Sequence, residues 1–106
     1  MAFPKELLNQ TVTVYQRRKQ QILRQVVQAF YHYKDVWTED RFQRQFVLIL
    51  SEELPLMPGD RVFEGVGPET VDWECFLPVS VPGLSQIGTV SPYLFRGRFH
   101  HLEATH

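Results

Sequence analysis

The sequence predicts a mainly β fold: a small single-domain β-barrel or sandwich of about six short strands. Three observations support this prediction. The 106 residues leave room for one domain, residues 1–106. Hydrophobic residues make up 43% of the chain and charged residues 22%, which is typical of a globular protein. Eight Phe, four Tyr and two Trp favour strands, while seven Pro and six Gly favour the turns between them.

The first predicted strand covers residues 11–15, which are all β-branched or aromatic. Because side chains alternate along a strand, Val12 and Val14 share one face, and Thr11, Thr13 and Tyr15 share the other. Residues 16–21 are polar and basic, which predicts an exposed turn or loop.

Residues 22–33 fit two structures. Their apolar positions have the spacing of an amphipathic helix: Ile22, Leu23, Val26, Val27, Phe30 and Tyr31. Several of these residue types prefer strands, however, and no good N-cap precedes them. Periodicity alone favours a helix, whereas the family resemblance given below favours a strand. Both readings stay open here, with a short helix at 20–33 as an option.

The middle of the chain alternates between strand and turn patterns. Residues 34–45 are charged and predict a loop or hairpin tip that carries Trp37. Residues 46–50 are apolar throughout and predict a core strand. The Pro-Gly pair in residues 56–60 predicts a turn, and residues 61–64 a short strand after it.

Proline limits the strands in the last third. Pro68, Pro78, Pro82 and Pro92 each lack a backbone donor, so strands here are expected to be short or at a sheet edge. Residues 95–104 predict a final strand, in which Gly97 marks a bulge or a close backbone approach.

The formal net charge of −1 conceals an uneven distribution. Residues 1–34 carry +5, residues 35–75 carry −7 and the remainder carries +1. These charges are either solvated faces or two poles that meet between neighbouring copies in a head-to-tail ring. The candidate basic patch is Arg17, Arg18, Lys19 and Arg24, and the candidate acidic patch is Glu52, Glu53, Asp60 and Glu64.

No pattern of catalytic or metal-binding chemistry stands out. There is no phosphate-binding loop, nucleophile motif or dinucleotide fingerprint, so no catalytic residue, cofactor or enzymatic activity is predicted. Adjacent His100 and His101 are expected to point to opposite faces of a strand, so no metal site is predicted. Cys75, the single cysteine, is expected to be a small buried hydrophobe with acidic neighbours that disfavour its thiolate.

The sequence predicts a soluble intracellular protein without a membrane contact. One cysteine fits a reducing compartment, and the N-terminal residues do not have the pattern of a signal peptide. The apolar run at residues 46–50 is far shorter than the roughly 20 residues that span a bilayer.

One alternative function is nucleic-acid binding by a small OB-like barrel. Arg17, Arg18, Lys19 and Arg24 would contact phosphates, and nearby Tyr15 would stack on a base. The acidic middle of the chain argues against this function because it would repel a phosphate backbone.

Three segments resemble a known family. These are residues 9–15 (NQTVTVY), the apolar strand 46–50 followed by the turn at 56–62 (LMPGDRV), and residues 99–103 (FHHLE). Together they resemble small head-closure or minor capsid proteins of phages and prophages of Gram-positive bacteria, whose C-terminal segment is "HWEV"-like. Leu102 stands where that family has Trp, and the Pro-rich stretch 78–92 departs from its pattern.

The resemblance implies a β-barrel in a ring between the DNA-filled head and the tail of a long-tailed phage. Its partners would be copies of itself, portal or adaptor proteins and tail proteins, joined by loops or by strand addition of a terminal strand. The acidic region 52–74 would line the lumen or contact a neighbour, so that DNA passes without specific binding. The implied location is the virion, assembled in the host cytoplasm.

Overall fold

Seven antiparallel strands form one sheet in a computed structural model that describes residue 6, residues 8–52 and residues 54–106. The strand order is β5-β4-β1-β2-β3-β7-β6. This architecture confirms the mainly β prediction. The strands are β1 (Gln10–Arg18), β2 (Gln21–Trp37), β3 (Phe42–Leu50), β4 (Arg61–Glu64), β5 (Leu84–Gln86), β6 (Thr89–Phe95) and β7 (Arg98–Thr105).

The helix option at residues 20–33 is wrong, because Gln20 lies in the turn before β2 and residues 21–33 lie within this 17-residue strand. Its first half pairs with β1 and its second half, from Phe30, pairs with β3. Alternate side chains at Val27, Ala29 and Tyr31 are buried, with the period of two that a strand requires. The helical spacing arose because the outer face of β2 is also apolar, as exposed Val26 shows.

The sheet is not a closed barrel, since the end strands β5 and β6 do not pair with each other. These two strands are nevertheless consecutive in the chain and are joined only by Ile87 and Gly88. Ile87 N donates to Asp60 O at 2.7 Å, and Gly88 N donates to Thr105 O at 2.8 Å. Residues 87 and 88 are therefore hydrogen-bonded to the residue before β4 near one edge of the sheet and to β7 near the other edge.

The predicted division of β1 into two faces is confirmed by the two hydrophobic clusters. Val12 and Val14 belong to the main core, which the inner faces of β1, β2, β3 and β7 supply. Tyr15 belongs to a second cluster with Phe76 and Leu84. Because residues 65–83 pack over this outer face, β1 is buried on both sides from Val12 to Gln16.

Two predicted loops are shorter in the structure than the sequence suggested. β1 continues to Arg18, so only Lys19 and Gln20, with φ of 50° and 66°, form the turn to β2. Paired positive φ values suit a tight hairpin because their twist matches that of the strands. Likewise β2 continues to Trp37, so only residues 38–41 connect it to β3.

A final strand is present, but it runs over Arg98–Thr105 rather than the predicted residues 95–104, and Gly97 forms neither the bulge nor the close backbone approach that was predicted. Arg96 and Gly97, with φ of 53° and 76°, form the turn between β6 and β7. The register irregularity lies instead opposite Tyr93 and Leu94. Within the described part of the chain, no helix is long and apolar enough to cross a membrane.

Candidate functional site

The candidate basic and acidic patches meet within a single chain, at Arg18 and Asp60. Arg18 Nη1 donates to Asp60 Oδ1 at 2.8 Å, and Arg18 Nη2 donates to Oδ2 at 2.9 Å. Asp60 is 2% exposed, and Met57 N and Gln16 Nε2 also donate to its carboxylate, at 2.8 and 3.2 Å. This hydrogen bonding raises the pKa of Arg18. The pair is an internal link between β1 and the start of β4.

Two more residues of the basic patch contact the segment that follows β4. Arg24 donates from Nη2 to Gly67 O at 2.7 Å and from Nε to Pro68 O at 3.1 Å. Arg17 forms an exposed ion pair with Glu74 at 3.3 Å. Lys19 is exposed at the β1–β2 turn. Three of the four cations therefore bind partners on their own chain.

The structure does not bring the acidic candidates into one cluster. Asp60 precedes β4 and Glu64 ends it, so their Cα atoms are about 13 Å apart along the strand. Glu52 is exposed in the connection between β3 and β4, and Glu53 lies outside the described residues. Glu64 is exposed and accepts a hydrogen bond from Tyr33, which raises the pKa of that phenol.

Residues 65–83 are held on the sheet by Arg61, which no pattern in the sequence marks as special. Arg61, 7% exposed, donates from Nη1 to the carbonyl oxygens of Trp73 and Phe76, both at 2.6 Å. Its guanidinium lies 3.9 Å from the centroid of the Trp73 ring. Burial lowers the pKa of Arg61, and the nearby Glu74 charge opposes that change.

Arg44 is a second internal anchor. Its Nη1 donates to Leu84 O at 2.6 Å and to Val81 O at 3.2 Å. Its Nε and Nη2 bind the two Asp35 oxygens at 2.5 and 3.1 Å. This pairing lowers the pKa of Asp35. No local motif could have revealed either anchor, because both arginines occur in ordinary strand patterns and most of their acceptors are backbone carbonyls 12 to 40 positions away.

The buried phenols have structural partners. Tyr31 OH contacts Ser85 Oγ at 2.5 Å and Gly83 O at 3.1 Å, and burial raises its pKa well above the ordinary value. Tyr15 OH donates to Pro68 O at 2.6 Å. Among the described residues, every buried side-chain nitrogen or oxygen has a hydrogen-bond partner. The hydrogen bonds of these two phenols therefore join β1 and β2 to the connection between β4 and β5 and to β5 itself.

The expectation that His100 and His101 diverge is wrong. Their Nδ1 atoms are 2.7 Å apart, and His101 Nε2 lies 2.9 Å from Glu103 Oε2. The reason is the irregular β6–β7 register: Tyr93 pairs with His101 and Leu94 with Phe99, so His100 lies at a bulge between them. In the described parts of the chain, no group of three His, Cys, Asp or Glu side chains is arranged to hold a metal ion.

Cys75 is exposed, which corrects the prediction of a buried thiol. It lies in the long connection between β4 and β5, where Asp72 accepts a hydrogen bond from it. That hydrogen bond and the Asp72 charge raise the pKa of the thiol. The predicted effect of acidic neighbours on the thiolate is therefore confirmed, although the burial is not.

Large apolar side chains are exposed at two hairpin tips. Trp37, at the β2–β3 tip, is 68% exposed, and its ring centroid lies 4.7 Å from that of Phe42. Leu94 and Phe95, at the β6–β7 tip, are 66% and 45% exposed. The β2–β3 tip lies at the Phe42 end of β3. β7 pairs only with Val47–Leu50 at the other end of β3, and the β6–β7 tip lies beyond that end, so the two tips are at opposite ends of the sheet.

An apolar groove of about 700 Å³ lies at the base of the β6–β7 hairpin. Its walls come from the connection between β3 and β4 and from the hairpin itself: Leu54, Leu56, Pro58, Pro92, Phe99 and Leu102. Phe99 also lines a cavity at the hairpin tip together with Arg96 and Arg98. The groove therefore has apolar walls and lies next to the side chains of Arg96 and Arg98.

The chain matches no protein-family model, and no curated protein or solved structure is significantly similar to it.

Proposed function

We propose that this chain is a non-catalytic structural protein of a phage or prophage virion. In this role it is a head-closure component that assembles into a ring between portal and tail. Its partners are further copies of itself, portal or adaptor proteins and tail proteins, and it is assembled in the bacterial host cytoplasm. The short motifs that resemble head-closure proteins support this proposal, and a small mainly β fold is compatible with it.

The observation that supports assembly most directly is the exposure of large apolar groups at opposite ends of the sheet. Trp37 is at one end, and Leu94 and Phe95 are at the other. Exposed apolar groups that cluster, rather than occur singly, typically mark interaction surfaces. Two different surfaces on one subunit allow the head-to-tail contacts that close a ring.

The proposed DNA-facing surface depends on Glu52 and Glu64, which are exposed. Asp60 does not contribute to this surface, because its carboxylate is buried and paired with Arg18. Carboxylates along a lumen would keep DNA from binding tightly, because like charges prevent close phosphate contacts. Replacing Glu52, Glu53 and Glu64 with Lys is expected to slow DNA ejection or impair particle assembly. Unchanged assembly and ejection would remove the lumen assignment.

The nucleic-acid alternative receives less support from the structure. Arg17, Arg18 and Arg24 are engaged by Glu74, Asp60 and backbone carbonyls of the same chain. Tyr15, the proposed stacking residue, is fully buried. A filter-binding titration with single-stranded DNA at two salt concentrations separates the two functions. Salt-sensitive binding would favour the alternative, and no binding at low salt would remove it.

The proposed function is tested in the organism that carries the gene. Particles are induced and purified, and the chain is sought in them by mass spectrometry. Deletion of the gene is expected to leave DNA-filled heads and free tails that do not join, and a plasmid copy is expected to restore joining. Normal infectious particles from the deletion strain would overturn the proposal.

A further inference from the structure

The two hairpin tips differ in charge as well as in position. Beside Trp37, the β2–β3 tip carries exposed Glu39 and Asp40, with Arg41 on the same turn, so this turn is net negative. The β6–β7 tip carries exposed Arg96 and Arg98. Each copy therefore has an aromatic, acidic projection at one end and a basic, apolar surface at the other.

The shapes of the two ends also correspond. Trp37 projects, since 68% of its surface is exposed, and its indole packs against Phe42. The groove at the other end has a volume of about 700 Å³ and walls of leucine, proline and phenylalanine. Tryptophan is enriched among residues that dominate binding energy, usually in well-packed apolar pockets.

We infer that Trp37 of one copy inserts into the groove between Leu54, Pro92 and Phe99 of a second copy, while Glu39 and Asp40 face Arg96 and Arg98. The occupant is a second copy of this chain because the acidic tip complements the basic rim in charge and the indole complements the apolar walls in chemistry. Opposite charges across the contact would guide docking and set its orientation.

This contact is heterologous, because the projection and the groove are different surfaces. Repetition of a heterologous contact produces a ring if the rotation between copies closes and a filament if it does not. The inference thereby names the self-contact of the ring in the proposed function and rests on that function for its biological purpose. The self-contact itself is measurable on the purified chain alone.

The first test compares Trp37→Ala with Val66→Ala. Val66 is likewise 68% exposed, but it lies in the long connection after β4 and belongs to neither tip. Sedimentation velocity over a range of concentrations is expected to show about tenfold or greater weakening of self-association for W37A and no change for V66A. Equal weakening in both variants would overturn the inference, as would a wild-type chain that stays monomeric up to about 1 mM.

A mixing experiment tests the geometry. One variant carries Trp37→Glu, which puts a charge at the apolar contact, and the other carries Arg96→Glu and Arg98→Glu. Each alone is expected to be monomeric. Mixed, they are expected to form a 1:1 dimer and nothing larger, because the intact projection of the second fits the intact groove of the first. If the Arg96 and Arg98 variant still self-associates, or if the mixture stays monomeric, the head-to-tail contact is wrong.

Circular dichroism and thermal unfolding of each variant establish that it is folded. The outcomes also separate this inference from the proposed function. Self-association through Trp37 in a chain that is absent from virions would overturn the function but leave the contact. A chain found in virions whose assembly is unaffected by W37A would overturn the contact but leave the function.

Discussion

Arg18 holds both carboxylate oxygens of Asp60, at 2.8 and 2.9 Å, across 42 positions in the sequence. The Asp60 side chain is 3% exposed and that of Arg18 is 31% exposed, so the carboxylate is the buried member of the pair. Charges that suggested two surface poles in the sequence are therefore partly neutralised inside one molecule. The pair fixes the end of β1 against the segment that enters β4.

Asp60→Asn is expected to lower the free energy of unfolding by about 3 kcal/mol, because it removes one charge from a buried, hydrogen-bonded ion pair. Glu74→Gln is the matched control, since Glu74 pairs with the adjacent Arg17 and both side chains are exposed. That control is expected to cost less than about 1 kcal/mol. Urea unfolding followed by fluorescence measures both. Equal losses would show that burial of Asp60 contributes nothing.

Asp35→Asn is expected to change how stability depends on pH. Arg44 lowers the pKa of Asp35 in the folded state, so the unfolded state binds the proton more readily. The stabilisation is therefore present above the ordinary aspartate pKa of about 3.9 and is lost as pH falls through the lower folded value.

Urea unfolding of wild type and Asp35→Asn between pH 7 and pH 2 measures this effect. The difference in unfolding free energy between them is expected to shrink below about pH 4. Glu69→Gln, at an exposed position, controls for the loss of one negative charge. A difference that stays constant to pH 2 would contradict the assigned pairing with Arg44.

Arg61→Lys is expected to loosen residues 65–83 without opening the rest of the sheet. Lysine keeps the charge but lacks the planar guanidinium that lies over the Trp73 ring while its Nη1 donates to the Trp73 and Phe76 carbonyls. We expect a loss of about 2 kcal/mol in unfolding free energy. Hydrogen exchange is expected to accelerate within residues 65–83 and to stay slow in β2 and β3. Arg41→Lys, at the exposed β2–β3 turn, serves as the control.

Gly67→Ala is expected to destabilise the chain through contact with a buried tyrosine. A Cβ on Gly67 would overlap Tyr15 OH and would lie 3.1 Å from Phe63 Cδ1. Tyr15 is fully buried and cannot move freely, so we expect a cost of about 1–3 kcal/mol. In a Tyr15→Phe background the cost of Gly67→Ala is expected to fall, because the overlapping hydroxyl is gone. Thermal unfolding of the wild type, the two single variants and the double variant measures the coupling.

Local residue types were sufficient to predict the mainly β fold and several of its strands. The apolar run in β3 and the alternation of side chains in β1 involve residues that are adjacent in sequence, so both strands could be predicted from the sequence. β2 was ambiguous because its first half has apolar side chains on both faces, as Leu23 and Val26 show. Pairing with β1 and β3 decides between strand and helix there, and pairing is a long-range property.

The partners of the charged residues could not be predicted for the same reason. Arg44 binds carbonyl groups about 40 positions away, and Arg24 binds carbonyl groups at a similar separation. Every residue has a backbone carbonyl, so the residue types do not show which carbonyl an arginine will bind. The charges along the sequence therefore predicted that Arg24 belongs to a surface patch. The exposed tips were only partly predictable. Residues 34–45 indicated a loop or a hairpin tip bearing Trp37, whereas Gly97 suggested a bulge or a close backbone approach rather than the β6–β7 turn.

The position of β7 between β3 and β6 restricts how this chain can join another. The strand addition that the resemblance suggested for a terminal strand would require β7 to leave both neighbours. The edge strands of the described sheet are also poorly suited to pairing with a strand from another chain, since β5 has only three residues and β6 contains Pro92, which lacks a backbone donor. Many copies could therefore accumulate at high concentration with little tendency to polymerise backbone to backbone, and their mutual recognition would be left to side chains.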